Sequence, residues 1–254
     1  MRYPRRLKHG QEAELVEHLD ELRSRLIVSL VAIGIGFAVA YVYHPTILGW
    51  LNRPLPAGHH RPVTFGIAEP FMTSLKVSLA AGFALALPIV LWQVWSYLAP
   101  TVERHLQRTV ATFVCFATAL FVCGLAFAYR IALPAAVHFL TNYDNHLYDV
   151  QVRAQSYYSF VLMVLVAVGI VFEVPIFVLA LVRLRIMSAA RLRRTWRGGL
   201  ALMAVIGACM PGYDPITTLM EMLPLMALYL LSIALASLLE RHWSSRPSVS
   251  EVAT

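Results

Sequence analysis

The sequence predicts an all-α membrane protein with six transmembrane helices, and three observations carry that prediction. The chain of 254 residues is 59% hydrophobic and only 14% charged, with a mean hydropathy of +0.65. Soluble domains carry about 25% charged residues, so here lipid takes the place of polar surface. Six apolar runs recur along the chain, and Val161–Val182 is the clearest of them. At about 22 residues it exceeds the ~20 that a helix rising 1.5 Å per residue needs to cross a ~30 Å hydrocarbon core. Lys and Arg are also unevenly placed. Of 21, sixteen fall at the N-terminus, after the second and fourth runs and in the C-terminal tail, four fall in the opposite connections, and Lys76 lies inside run two. By the positive-inside rule both termini are expected in the cytoplasm of a multi-pass inner-membrane protein. The formal net charge of +7 then reports topology and anionic lipid rather than nucleic acid.

Residues 1–25 read as a cytoplasmic amphipathic segment, 26–239 as the six-helix transmembrane domain and 240–254 as a cytoplasmic tail. In the first, Leu15, Leu19, Leu22 and Leu26 recur at helical spacing, and Glu21 precedes Arg25 by four, the favourable order for an ion pair. Its apolar run begins too late for a cleaved signal. Span one is expected over Leu26–Tyr43, followed by His44–Ala68, a proline-rich, extended, loop-like connection. Span two covers Phe71–Leu98 and should kink at Pro88, with Trp92, Trp95 and Tyr97 at its interfacial end. Span three covers Thr109–Tyr129, and Ala132–Ser156 is a second polar connection. Span four covers Tyr157–Val182. Arg183–Arg197 is a basic loop, Leu200–Met210 a fifth run of about 16 Å as helix, and Ile216–Leu239 a sixth run interrupted by Glu221 and Pro224. The short fifth run predicts locally thinned bilayer.

No catalytic motif is present: no H-E-x-x-H, P-loop or G-x-S-x-G occurs, so the chain does not read as an enzyme, and no cofactor is implied. His59-His60 reads as a solvated pair rather than a metal site. Cys115, Cys123 and Cys209 do not form a disulfide framework and read as small apolar packing residues. What remains are acids at membrane depth or edge: Glu21, Glu69, Glu103, Glu173, Asp214 and Glu221. Glu173 is the sharpest. An ionised carboxylate at the centre of a span costs at least ~2.5 kcal/mol, so it must face protein or water, take a proton, or find a polar partner. Pro175 should bend the helix beside it. Such acids can bind a basic peptide, bind a partner helix or move protons, so a proton-coupled small-molecule transporter with Glu173 as its proton site is the alternative to a receptor. The absence of an internal repeat weighs against the transporter. Asp214, after Pro211-Gly212-Tyr213, can cap run six.

An ordered series of motifs resembles the TatC family, the multispanning receptors of the twin-arginine protein translocase. His18-Leu19-Asp20-Glu21-Leu22-Arg23-Ser24-Arg25-Leu26 is similar to the family's H-L-x-E-L-R-x-R-L. Glu69-Pro70-Phe71, Pro88, Gln93-Val94-Trp95 with Ala99-Pro100, Phe121–Tyr129 with Pro134, and Phe172-Glu173-Val174-Pro175 follow in family order. The resemblance implies a non-enzymatic receptor for twin-arginine signal peptides on folded cargo, driven by the proton-motive force. It implies a curved, concave six-helix arrangement with the last two helices short, TatA and often TatB as single-span partners, membrane lipid around it, and assembly with itself. Glu21 then matches the acid that meets the paired arginines, Phe71 the loop aromatic, and Glu173 the acid that meets a partner helix. Pro70, Pro88 and Asp214 fall on motif positions that shape the fold.

Two places depart from the family pattern. The acid usual in the loop after span two is Leu106 here, with Glu103 three residues earlier, so Glu103 is expected to join Glu21 in the signal-peptide site. The T-P-P-D turn is here Pro211-Gly212-Tyr213-Asp214, and Thr218, expected toward a partner helix, stands where Gln is common.

Overall fold

The computed structural model describes residues 9–56, 62–98, 107–143, 146–147, 150–183, 186–210 and 215–244. They form helices α1 (His9–Val42), α2 (His44–Leu51), α3 (Glu69–Leu98), α4 (Gln107–Phe127), α5 (Leu133–Asn142), α6 (Ala154–Val171), α7 (Val174–Arg183), α8 (Ala189–Arg194), α9 (Trp196–Cys209) and α10 (Pro215–Ser244), with a π-helical turn at Ala128–Ala132. Five stretches are long and apolar enough to cross a bilayer: Leu19–Val42, Glu69–Tyr97, Ala111–Asn142, Ala154–Arg183 and Thr218–Leu238. A shorter apolar helix, α9, makes the sixth. The chain falls into two compact units, one of Met1–His44 with Ser78–Thr118 and one of Pro45–Val77 with Ala119–Thr254.

In the first unit α1 and the second half of α3 cross at paired glycines. A Cβ on Gly36 would fall 2.5 Å from the Gly82 carbonyl oxygen, and one on Gly82 would fall 2.6 Å from Phe37 Cα. Small residues let helix backbones touch in lipid, where packing rather than water drives association. Ala40, Ala86 and Leu87 are buried, and Trp95 meets Phe113 at 5.6 Å between ring centroids. Only 11% of the apolar stretch of α1 is buried by protein. Ile35 and Val42 are among the side chains left to lipid.

In the second unit α10 packs along α7 and α9. Tyr229 lies against Gly199, and Met222 lies 3.2 Å from where a Gly207 Cβ would sit. The core gathers Leu133, Val161, Val164, Ile176 and Leu225, all essentially inaccessible. On the neighbouring pair, Phe121 occupies the space above Gly169 and Phe172 the space above Gly124, each ring filling a socket on the other helix.

Several boundaries differ from those the sequence predicts, and proline explains most of them. His44–Leu51 is a helix rather than loop. Pro45 is its second residue, where the missing N–H has no helical partner to lose and the fixed φ suits the first turn. The third span does not end at Tyr129 but runs on to Asn142. The π turn accommodates Pro134: the Leu133 N–H donates to Ala128 O, five residues back, and Pro134 then falls in the first turn of α5. α3 continues as one helix through Pro88. α9 has 14 residues, about 21 Å, and is short as expected. α10, expected short too, has 30 residues, because its helix continues past the apolar stretch that ends at Leu238. Cys115, Cys123 and Cys209 are free and exposed rather than in packing positions.

Candidate functional site

Glu173 sits where the fourth span breaks. α6 ends at Val171 and α7 begins at Val174, because Pro175 can offer no N–H to continue the ladder. The backbone groups of Glu173 itself are nevertheless satisfied. The Glu173 N–H donates to Ile170 O at 3.0 Å, and the N–H groups of Ile176 and Phe177 donate to Glu173 O at 3.0 and 3.1 Å. Phe172, held in the Gly124 socket and tilted against Phe127 at 5.6 Å, fixes the residue before the acid. The side chain of Glu173 is 5% exposed, and neither carboxylate oxygen has a hydrogen-bond partner among the described residues. Glu221 on α10 is likewise buried, at 2% exposure. Thr218, one turn earlier, is half-buried.

Glu21 lies on α1 at the start of its apolar stretch. The i,i+4 pair read from the sequence is formed: Arg25 Nε donates to Glu21 Oε1 at 3.0 Å, and Nη2 reaches the same oxygen. The side chain stays 39% exposed, and both Arg25 contacts fall on Oε1. The Gly36–Gly82 crossing sets its depth. Glu21 precedes Gly36 by about 22 Å of helix, and Leu98 follows Gly82 by about 24 Å. Successive spans run in opposite directions, so Glu21 and the end of α3 reach one membrane edge at nearly the same level. Glu103, Leu106 and Asp214 lie outside the described residues, as do His59 and His60. Among the described residues no three His, Cys, Asp or Glu side chains gather as metal ligands would.

Pro70 and Phe71 open α3, both exposed. Beside them lies a network that sequence reasoning missed. Glu69, only 6% exposed, accepts the N–H groups of Phe65, Gly66 and Gln155 at 3.0, 3.3 and 3.0 Å, together with Arg153 Nε at 3.1 Å and Nη2 at 3.3 Å. Val63 and Arg153 form a parallel bridge, with Val63 N donating to Val152 O and Ala154 N to Val63 O. Two connections that are 84 residues apart are thereby tied together. Glu69 was legible only as an edge acid, and no local pattern singles out Arg153. Three tyrosines complete this end: the hydroxyls of Tyr129, Tyr157 and Tyr158 donate to Trp50 O, Leu51 O and Asn52 Oδ1 at 2.7, 2.6 and 2.7 Å. The second satisfies a carbonyl that the end of α2 leaves without a helical partner, and the first adds to the Arg53 N–H that already bonds Trp50 O at 3.1 Å.

Residues 17–224 match the family model of the Sec-independent protein translocase protein TatC. A TatC of Carboxydothermus hydrogenoformans is 34% identical over 227 residues, 89% of this chain and 93% of the relative. One from Koribacter versatilis is 35% identical over 247 residues, covering 92% and 90%. The chloroplast TATC of Arabidopsis thaliana is 31% identical over 232 residues, 90% of this chain and 68% of that protein. The fold matches the crystal structure of the twin-arginine translocase receptor TatC in DDM with a TM-score of 0.76 at 33% identity, covering 86% of this chain and 99% of that one.

Proposed function

Because the chain belongs to the TatC family of Sec-independent protein translocase proteins, we propose that it is the receptor that takes twin-arginine signal peptides of folded cargo at its cytoplasmic edge. Glu173 then engages a single-span partner of the TatA or TatB kind, and the proton-motive force drives transport. Both termini lie in the cytoplasm. The observation that carries this reading is Glu21: a partly exposed acid at a membrane edge rich in Lys and Arg, with Arg25 holding only one of its two oxygens. An arriving guanidinium can bind the oxygen that Arg25 does not hold and exchange with Arg25 for the other, because Arg recognises carboxylates through a planar two-pronged fork. The second arginine needs a second acid, and Glu103, in the loop that follows the end of α3, supplies it in place of the one absent at Leu106.

The test is signal-peptide binding by Glu21→Ala, Glu103→Ala, the double variant, and Glu103→Ala/Leu106→Glu as rescue. Each single change should weaken binding about tenfold or more, as loss of a charge-assisted bond does, and the rescue should restore it. Undiminished binding by Glu103→Ala, or loss without rescue, removes Glu103 from the site. Orientation is checked separately by reporter fusions at Gly58 and Asn145, both expected on the far side of the membrane. A cytoplasmic signal from either overturns the topology.

A further inference from the structure

Where α3 starts, the second unit carries an apolar tip. Val63, Phe65, Ile67, Phe71 and Met72 follow one another as the chain turns into the helix, and all five are exposed. From Pro62 to Met72 the one charged residue is Glu69, which is buried and balanced by Arg153. Single apolar side chains on a surface are ordinary, but a contiguous group marks a contact. The backbone that presents the tip is fixed. Glu69 Oε2 accepts the N–H groups of Phe65 and Gly66, and the Glu69 N–H donates to Gly66 O at 3.2 Å. The Arg153 guanidinium lies 5.7 Å from the centroid of the Phe65 ring. Ile67, between these bonds, is fully exposed, so it projects from a held turn and packs on nothing.

The level of the tip follows from α3. Trp92 is exposed near the other end of that helix, and exposed aromatics gather at the membrane interface. From Trp92 back to Met72 the helix rises about 30 Å, the thickness of the hydrocarbon core. Met72 then marks the opposite edge of the core. Glu69, three residues earlier, is about 4.5 Å further out. The turn bonded to it therefore lies in the headgroup layer, which is ~5–7 Å thick on each side. Lys76 points to lipid independently. It is exposed one turn into the core from Met72 and forms no salt bridge among the described residues. Helical side chains lean toward the N-terminus of their helix, and a lysine stem lies along apolar surface while its ammonium reaches the polar layer. Lys76 thus carries its charge back toward the level of the tip. A protein neighbour would need a socket for a lone projecting Ile67 and a countercharge for Lys76, whereas a phospholipid leaflet closes round the first and supplies phosphate to the second.

We propose that the turn at residues 65–67 is a lipid anchor, with Phe65 and Ile67 inserted at the headgroup–acyl boundary of the leaflet in which α3 starts. The inference requires that the chain sit in a bilayer and needs nothing of the receptor reading. It is tested with a nitroxide label on Ile67→Cys in the full chain, with Cys115, Cys123 and Cys209 changed to alanine. The protein is held at high dilution in vesicles of phosphatidylethanolamine and phosphatidylglycerol. Because Ile67 packs on nothing, the label leaves the fold intact. Its depth is read from collisions with oxygen, which concentrates among acyl chains, and with a water-soluble nickel chelate. The label should lie below the phosphates, with chelate collisions severalfold rarer than those of a lipid that carries the nitroxide on its headgroup. A label on Met72→Cys should read deeper still. Chelate access at 67 equal to that of the headgroup nitroxide places the tip in water, and shielding from both reagents places it against protein. Either result overturns the anchor, as does a label at 72 that the chelate reaches freely.

Discussion

Replacing Gly82 by alanine sets two effects of opposite sign against each other. Alanine is the better helix former, by up to ~1 kcal/mol. Its Cβ, however, would lie 2.6 Å from Phe37 Cα and 2.7 Å from the Gly36 carbonyl carbon, where ordinary contact begins at 3.4 Å. These are backbone atoms, so no side chain can swing aside, and with the Phe37 nitrogen closer still α1 and α3 must part by about 1 Å locally. Overpacking of this kind costs about 1–3 kcal/mol, so Gly82→Ala should lose about 1–2 kcal/mol net. Gly34 is the internal control: a Cβ there meets nothing within 4 Å, and Gly34→Ala should be neutral or gain up to ~1 kcal/mol. Thermal unfolding of both variants in one detergent separates the two terms. The consequence reaches function, since the crossing levels Glu21 with the end of α3, and signal-peptide binding should fall in Gly82→Ala but not in Gly34→Ala. A Gly82→Ala protein as stable as the Gly34→Ala protein would refute the close crossing.

Tyr157→Phe leaves the buried Leu51 carbonyl without its donor and should cost about 1–2 kcal/mol, whereas Tyr129→Phe, whose bond is exposed, should cost less. Thermal unfolding of the two variants side by side checks the order. Glu173→Ala should insert normally yet lose cross-links from the fourth span to a single-span partner by roughly 3–30-fold, the worth of an interhelical hydrogen bond of ~0.6–2 kcal/mol. Glu173→Gln, which can still hydrogen-bond, should keep most of them, and cross-links that go only to lipid in the unaltered protein would sink the assignment.

The spans were legible because hydrocarbon length is a one-dimensional property: a run such as Val161–Val182 announces itself. Glu173 was legible for the same reason, as a lone carboxylate in such a run. Boundaries set by proline were not, because proline has two meanings. Inside a helix it removes a needed donor, while in the first turn it removes a superfluous one, and only the neighbouring hydrogen bonds tell Pro45 and Pro134 from breakers. Gly36 and Gly82 were invisible as a pair because each lies in an apolar run where glycine is ordinary, and their meaning arises only where the two helices cross. Arg153 was invisible because its partner is 84 residues away.

Two buried acids of the second unit show that burial alone does not identify a functional carboxylate. Glu69 and Glu173 are almost equally inaccessible, at 6% and 5% exposure. Glu69 accepts three backbone N–H groups and two from Arg153. Its bonding capacity is consumed within the chain, and its work is to hold two connections together. Glu173 accepts none among the described residues, although its own N–H donates to Ile170 O and its carbonyl accepts the N–H groups of Ile176 and Phe177. The chain has therefore satisfied both backbone polar groups of Glu173 and left its side chain unsatisfied. An unpaired carboxylate at that depth costs at least ~2.5 kcal/mol, a cost that a fold optimised for the isolated chain would shed by substitution to leucine. A polar group on the proposed partner helix removes the cost on binding, so the same unsatisfied pair of oxygens that destabilises the free protein favours the assembled one.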